Sequence, residues 1–174
     1  MQIVILGAGV VGFQIAKNLI SEGKDVVLIE KNPTRAKFVS NHLDCIVLNE
    51  EGTNIPTLRR AGLSKADFFI SVTNSDEVNM IACGIVKSEF NVPVKIARVR
   101  NLDYSRAKIL DKTFLGIDFI VNSEVETSKA IANTVEHGAA SNVLIFKNSD
   151  MQMRNIFIDK KSIMLNNAIK ELRS

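Results

Sequence analysis

The chain has 174 residues, 46% hydrophobic and 24% charged, enough for one full domain and a fragment of a second. No run approaches the roughly 18 to 20 apolar residues of a membrane-spanning helix, Met1 leads into a core strand without a basic leader, and the net charge of +3, with scattered lysines and arginines, does not suggest nucleic acid as a partner. With Cys45 and Cys83 both inside apolar runs and read as buried thiols, these features give the expectation of a cytoplasmic protein in a reducing compartment.

The first twelve residues organise the rest. Ile3, Val4, Ile5 and Leu6 are apolar or β-branched, the turn behind them carries Gly7, Gly9 and Gly12, and Phe13, Ile15, Ala16, Leu19 and Ile20 recur at helical spacing. In a strand, tight turn and helix of this kind, Gly7 suits the turn, Gly9 lets a pyrophosphate approach the backbone and Gly12 lets the helix lie close to the strand. The positive end of the helix, with the backbone of Ala8, Val10 and Val11, faces the anion. The second strand, Asp25–Glu30, ends in an acid, and Glu30 is placed to accept hydrogen bonds from ribose hydroxyls. A carboxylate there opposes a 2′-phosphate, which favours NAD or an adenosine phosphate over NADP, while Lys31 and Arg35 are cations within reach of phosphates.

Asn32 is suited to cap, and Pro33 to open, a helix running to about His42. Cys45–Leu48 reads as the third strand, followed by Asn49-Glu50-Glu51-Gly52-Thr53 and a short helix from Ile55 to Ala61 stopped by Gly62. Asp67–Val72 is the fourth strand. Asn74 and Glu77 have capping-box spacing for a long helix from Asp76 to Phe90. Its segment Met80–Val86 is apolar on nearly every side, as suits either a central place on the sheet or cover by another subunit. Val94–Ala97 is the fifth strand, ending at Arg98, a helix starts at Asn101, and Ile117–Val121 is the sixth strand. Ser123 and Glu126 form a second capping box, opening a helix to about His137 with Gly138 as its stop. This alternation predicts an α/β, Rossmann-like, doubly wound and mainly parallel sheet. Beyond a boundary near residues 138 to 141 the pattern changes to short strand candidates at Val143–Phe146 and Ile156–Ile158 and a helix over Leu165–Leu172, about 35 residues that are too few for an independent domain.

In a parallel sheet the residues past the strand C-termini share one edge. That edge collects Gly7 to Gly12, Glu30, Gly52 and Thr53, Thr73 and Asn74, and Arg98, whose guanidinium suits phosphate. Acid–base chemistry has few candidates. His42 and His137 end helices away from the edge, and His42 with Cys45 makes half a metal site at best. Tyr104 and Lys108 have the spacing of a short-chain dehydrogenase pair, but the glycine spacing differs and no upstream serine partners them.

Gly7-Ala-Gly-Val-Val-Gly12, Leu58-Arg-Arg-Ala-Gly62, Ser71-Val-Thr-Asn-Ser-Asp-Glu77 with Asn79-Met80, and Ile96-Ala-Arg-Val-Arg100 closely resemble the Trk-type potassium-uptake regulatory subunits, the TrkA family of RCK (KTN) domains. The resemblance runs from Met1 to about His137. It implies a nucleotide-binding domain over residues 1–138, including a crossover helix over 123–137, and a shortened or incomplete second lobe over 139–174. It also implies binding of NAD(H), ATP, ADP or AMP, and self-association to a dimer and a higher ring on the inner face of the membrane beside a Trk- or Ktr-type potassium transporter subunit. Where the family has Gly-Asp this chain has Glu50-Glu51, adding bulk and charge on the adenine side. The expected function is regulatory and not enzymatic. The alternatives are a small NAD-dependent oxidoreductase and a dimerisation module in which nucleotide only supports the fold.

Overall fold

The computed structural model describes residues 1–106, 115–137, 143–145, 152–154, 160, 162 and 165. They fall into two compact units, Met1–Ser123 and Glu124–Ser174; the expected boundary at residues 138 to 141 falls outside the described residues.

The first unit is built on six parallel strands, β1 (Gln2–Leu6), β2 (Asp25–Ile29), β3 (Ile46–Leu48), β4 (Phe68–Ser71), β5 (Val94–Arg98) and β6 (Phe119–Val121), in the order β3-β2-β1-β4-β5-β6. The order reverses between β1 and β4, which opens a crevice at the strand C-termini. Both faces of the central strands β1, β2 and β4 are covered, which is why these strands read as continuous apolar runs. On one face Ile3, Ile5, Val26 and Leu28 pack with Ala16 of α1 (Val10–Ser21) and Val39 of α2 (Pro33–Ser40). On the other, Val4, Leu6, Val27, Ile29 and Phe69 pack with Leu58 of α3 (Ile55–Arg60) and Met80, Cys83 and Val86 of α4 (Asp76–Glu89). The sheet thus buries that stripe of the apolar helix α4 within the chain, while Ile81 remains 53% exposed. At the far edge, Lys95 is buried with its Nζ on Val92 O (2.9 Å) and Asp118 Oδ2 (3.2 Å), and the same carboxylate accepts from Lys95 N (2.8 Å). That pair fastens the chain entering β6 to β5.

The elements expected in the first unit are present, several with shorter ends. Asn32 caps α2 through Oδ1 on Arg35 N (2.9 Å), and Gly62 ends the α3 region with a left-handed φ of 83°. The cap of α4 is a correction: Ser75, extended at φ −117°, accepts from Val78 N (3.2 Å), so Asn74 lies one residue outside the capping position. Cys83 is buried as expected, whereas Cys45 is half-buried because β3 is a sheet edge. A short helix α5 (Leu102–Arg106) follows β5.

Of the second unit, the structure describes the helix α6, which begins at Ser123 itself and runs to His137, and an antiparallel pair, β7 (Val143–Ile145) with β8 (Gln152–Arg154). Ser123 is therefore the first helical residue, and Glu126 is engaged with Lys129 Nζ (2.9 Å). The strand expected at 156–158 lies outside the described residues, as do Gly138 and nearly all of the helix expected over 165–172.

Candidate functional site

A cavity of about 550 Å³ lies at the C-terminal edge of β1, β2, β4 and β5, straddling the reversal in strand order. Gly7, Gly9, Val10, Val11, Glu30, Lys31, Gly52, Thr73, Asn74 and Arg98, all expected at this edge, line it together. Ala8, Gly12, Arg35 and Thr53 do not.

Its floor is the glycine turn. Gly7 has φ 97°, and a Cβ there would lie 2.9 Å from Thr73 N across the crevice. A Cβ on Gly12 would come within 1.9 Å of Gly7 O, so α1 seats directly on the turn only because residue 12 has no side chain. Gly9 differs: its φ is −61°, and a Cβ built there meets nothing within 4 Å. Its missing side chain leaves space on the cavity side. Gly9 is also the N-cap of α1 and provides no side-chain cap, so the first-turn amides, which have no partner four residues earlier, face that space.

Glu30 ends β2 with both oxygens oriented by backbone: Oε2 accepts from Ala8 N (2.8 Å) and Oε1 from Asn32 N (2.8 Å). A carboxylate oxygen has a further lone pair, so each remains competent to accept a hydroxyl. Arg35 lies behind the turn. Its Nε donates to Ala8 O (2.6 Å), and its guanidinium lies 5.5 and 4.9 Å from the centroids of the Phe13 and Phe38 rings, which are 5.6 Å apart, with His42 stacked on Phe38 at 4.1 Å. The second wall carries the two acids that follow β3. Glu50 accepts from Thr57 Oγ1 (2.6 Å) and from the Arg60 guanidinium; the Thr57 bond above all holds its carboxyl below the ordinary range, Arg60 adding to it against partial desolvation. Glu51 pairs with Lys31 at 3.7 Å.

Across the crevice, Asn79 of α4 is fully buried. Its Oδ1 accepts from Ser71 Oγ (3.0 Å), Thr73 N (2.8 Å) and Thr73 Oγ1 (2.7 Å), and its Nδ2 donates to Thr73 O (3.2 Å) and Arg98 O (2.8 Å). Asp76, also buried, accepts from Arg100 N and Asn101 N (2.8 Å each) and from Arg100 Nε (3.3 Å), while the Arg100 guanidinium also donates to Asn74 O. Burial pushes the Asp76 carboxyl up, but the Asn101 and Arg100 amides and the guanidinium outweigh it and hold it below the usual aspartate value. The Arg98 side chain lines the cavity and donates Nε to Ser123 Oγ (2.9 Å). Asn79 and Asp76 were not anticipated as parts of the site, although both fall in the motif residues Ser71–Glu77 and Asn79-Met80. Tyr104 donates its hydroxyl to Glu77 Oε1 (3.1 Å), and Lys108 lies outside the described residues. Among the described residues no group of His, Cys, Asp and Glu is arranged to hold a metal, and no helix is long and apolar enough to cross a membrane.

The arrangement presents amide donors and a guanidinium at one end and oriented carboxylates at the other, fitting a molecule with an anionic half and a hydroxyl-rich half. Comparison with known proteins gives the same frame. The TrkA-N domain model matches residues 3–123. The Trk system potassium uptake protein TrkA of Azorhizobium caulinodans is 31% identical over 99% of this chain, which spans 38% of that relative's length. The TrkA homolog of Methanothermobacter thermautotrophicus is 32% identical over 94% of this chain and 74% of its own. Among solved structures, the TrkA-N domain of the inner membrane protein ybaL from Escherichia coli superposes with a TM-score of 0.66 at 19% identity, covering 77% of this chain and 96% of that one. The GsuK channel bound to NAD gives a TM-score of 0.60 at 21% identity over 69% of this chain and 21% of its own. GsuK bound to ADP gives 0.63 at 24% over 78% and 34%. These structural likenesses establish the fold, and the family match over residues 3–123 establishes membership: the chain belongs to the TrkA-N domain family.

Proposed function

We propose that the cavity binds NAD(H) or an adenine nucleotide, and that the chain is the nucleotide-sensing regulatory part of a potassium uptake system. The observation that carries this is the Gly9 floor, open to the cavity, with the first-turn amides of α1 at one side and Glu30 held by two backbone amides at the other. The phosphates lie over Gly9, Val10 and Val11 toward Arg98, and the ribose hydroxyls meet Glu30. Gly52, Thr73 and Asn74 border the ligand, and Lys31 stands near its adenosine half. Relatives named as TrkA potassium uptake proteins and a channel with NAD or ADP bound support the assignment.

In this reading residues 1–138 are the binding domain with its crossover helix and 139–174 belong to a second lobe. The protein works in the cytoplasm as a dimer within a larger ring, beside a Trk- or Ktr-type membrane subunit. Nucleotide changes potassium conductance by binding two states of that assembly unequally, the only way a ligand biases such an equilibrium. It performs no reaction on the nucleotide.

The test is thermal unfolding of the chain with NAD, NADH, NADPH, ATP, ADP and AMP in turn. A ligand at about 100 times its dissociation constant adds roughly 2.7 kcal/mol, or on the order of 5 to 10 °C for a chain of this size. A shift with NAD(H) or an adenosine phosphate but not with NADPH is expected; no shift with any of the six would refute the proposal.

A further inference from the structure

Asn79 touches both lips on one side of the crevice. Its amide is completely buried, and all of its bonds go to three short stretches: the end of β4 (Ser71), the residue that borders the cavity beyond it (Thr73), and the end of β5 (Arg98). The orientation of the amide is fixed by its partners. Thr73 N only donates, so Oδ1 faces it; Thr73 O and Arg98 O only accept, so Nδ2 faces them. One planar group thus sets the spacing between the Thr73 backbone and the Arg98 backbone. The other end of Arg98 is held by Ser123 Oγ. A merely structural contact between α4 and the sheet would be served by an apolar residue, as at Met80, Cys83 and Val86; a buried amide that bonds both lips specifies their geometry as well.

We propose that Asn79 is a positioning residue for the phosphate half of the bound nucleotide: it acts through Arg98, whose carbonyl it holds, and touches no ligand atom. This rests on the nucleotide reading above. Asn79→Asp keeps the acceptor toward Thr73 N and Ser71 but turns an oxygen onto the carbonyls of Thr73 and Arg98, which spreads the lips. The Glu30 carboxylate, just past β2, accepts from Ala8 N and Asn32 N, does not contact Asn79 and keeps its geometry.

The experiment is calorimetric titration of adenosine, ADP and NAD into the wild type, Asn79→Asp, Asn79→Ala, Arg98→Ala and the Asn79→Ala/Arg98→Ala double variant, each first checked for folding by far-UV circular dichroism. The expected result is about a tenfold loss for ADP and NAD in any folded Asn79 variant, the equivalent of one lost hydrogen bond, with adenosine changed less than about twofold. In the Arg98→Ala background the Asn79 change should add little, because its effect runs through Arg98. Equal losses for adenosine and ADP, or losses that multiply in the double variant, would overturn the positioning role while leaving the nucleotide site standing. If both Asn79 variants fail to fold, the residue is structural and the role is refuted. A wild type that binds none of the three ligands would refute the nucleotide reading itself.

Discussion

Gly9 and Gly12 stand three residues apart in one turn, and the structure assigns them opposite consequences on substitution. In Gly12→Ala the new methyl would sit 1.9 Å from Gly7 O and 3.0 Å from Gly7 C, both backbone atoms that cannot rotate aside. Relief requires α1 to lift from the turn, an overpacking cost of about 1 to 3 kcal/mol. At about 2 to 4 °C per kcal/mol for a chain of this length, the melting temperature should fall by roughly 2 to 12 °C. In Gly9→Ala the methyl meets no atom within 4 Å and the backbone is already at φ −61°, so the fold should tolerate it. Glycine is the better N-cap by about 0.5 to 1 kcal/mol, a loss offset by about 0.4 to 1 kcal/mol from reduced freedom of the unfolded chain, for a net shift within about 2 °C. The methyl does, however, occupy the space over which the phosphates are proposed to lie. Nucleotide affinity should therefore fall at least about tenfold, or 1.4 kcal/mol. Differential scanning fluorimetry without ligand, followed by titration with NAD and ADP, reads both quantities. A Gly9→Ala protein of unchanged stability and unchanged affinity would refute the placement of the phosphates. A Gly12→Ala protein as stable as the wild type would refute the account of how α1 seats on the turn.

Glu30→Gln should weaken NAD binding by about 10- to 100-fold, the range for losing hydrogen bonds to a charged acceptor, and narrow the gap between NAD and NADPH; titration with both cofactors checks it, and an unaltered ratio would count against the ribose role. Asp76 has a carboxyl held below its unfolded value, so its stabilisation is present above the unfolded aspartate value, near pH 4, and lost as pH falls through the lower folded value. Melting curves of wild type and Asp76→Asn should accordingly differ by several degrees at pH 7 and converge as the solution is acidified below the unfolded value, whereas a constant gap would show that ionisation is not what matters. Burial pushes the Cys83 thiol up to about 12, so alkylation at pH 8 should spare it in the native protein and modify the half-buried Cys45 first, with both labelled in denaturant; the reverse order by peptide mass mapping would contradict the packing of α4.

What the sequence made legible was whatever local pattern records. The alternation of strands and helices, the glycine turn and the acid ending β2 are periodic or positional signals, and chain direction in a parallel sheet brings Thr73 and Arg98 to the same edge. What it hid depends on rotation of a side chain about its own element. Arg35 follows Glu30 by five residues and reads as a phosphate ligand, yet as the third residue of α2 its guanidinium goes behind the turn to Ala8 O. The cap of α4 shifted from Asn74 to Ser75 because the backbone before Asp76, not composition, decides which side chain reaches the amide of residue 78. Asn79 and Asp76 were invisible for a related reason. Asn79 reaches Arg98 and Asp76 reaches Arg100 and Asn101, 19 to 25 residues away, so no local window contains the bonds that tie α4 to the end of β5.

The acids at 50 and 51 show why counting charges is a poor guide to what a ligand meets. By composition the cavity wall is negative, with Glu30, Glu50 and Glu51 against Lys31 and Arg98. Yet Glu50 is tied to Thr57 and Arg60 beneath the rim, Glu30 is turned onto two amides, and Glu51 is balanced by Lys31 at 3.7 Å. The last of these is the exchangeable one. Its side chains are 57% and 69% exposed, and an ion pair of that kind is worth about 0 to 1 kcal/mol. A phosphate reaching this wall can therefore draw Lys31 from Glu51 at small cost, and the acid acts as a weak competitor for the lysine. Glu51→Gln should leave the melting temperature within about 2 °C of wild type and strengthen binding of NADPH and ATP more than that of adenosine, by about two- to fivefold at low salt. The gain should fade above roughly 0.3 M salt as exposed charges are screened. An equal gain for adenosine, or one that persists in high salt, would mean that bulk and not charge is what residue 51 contributes.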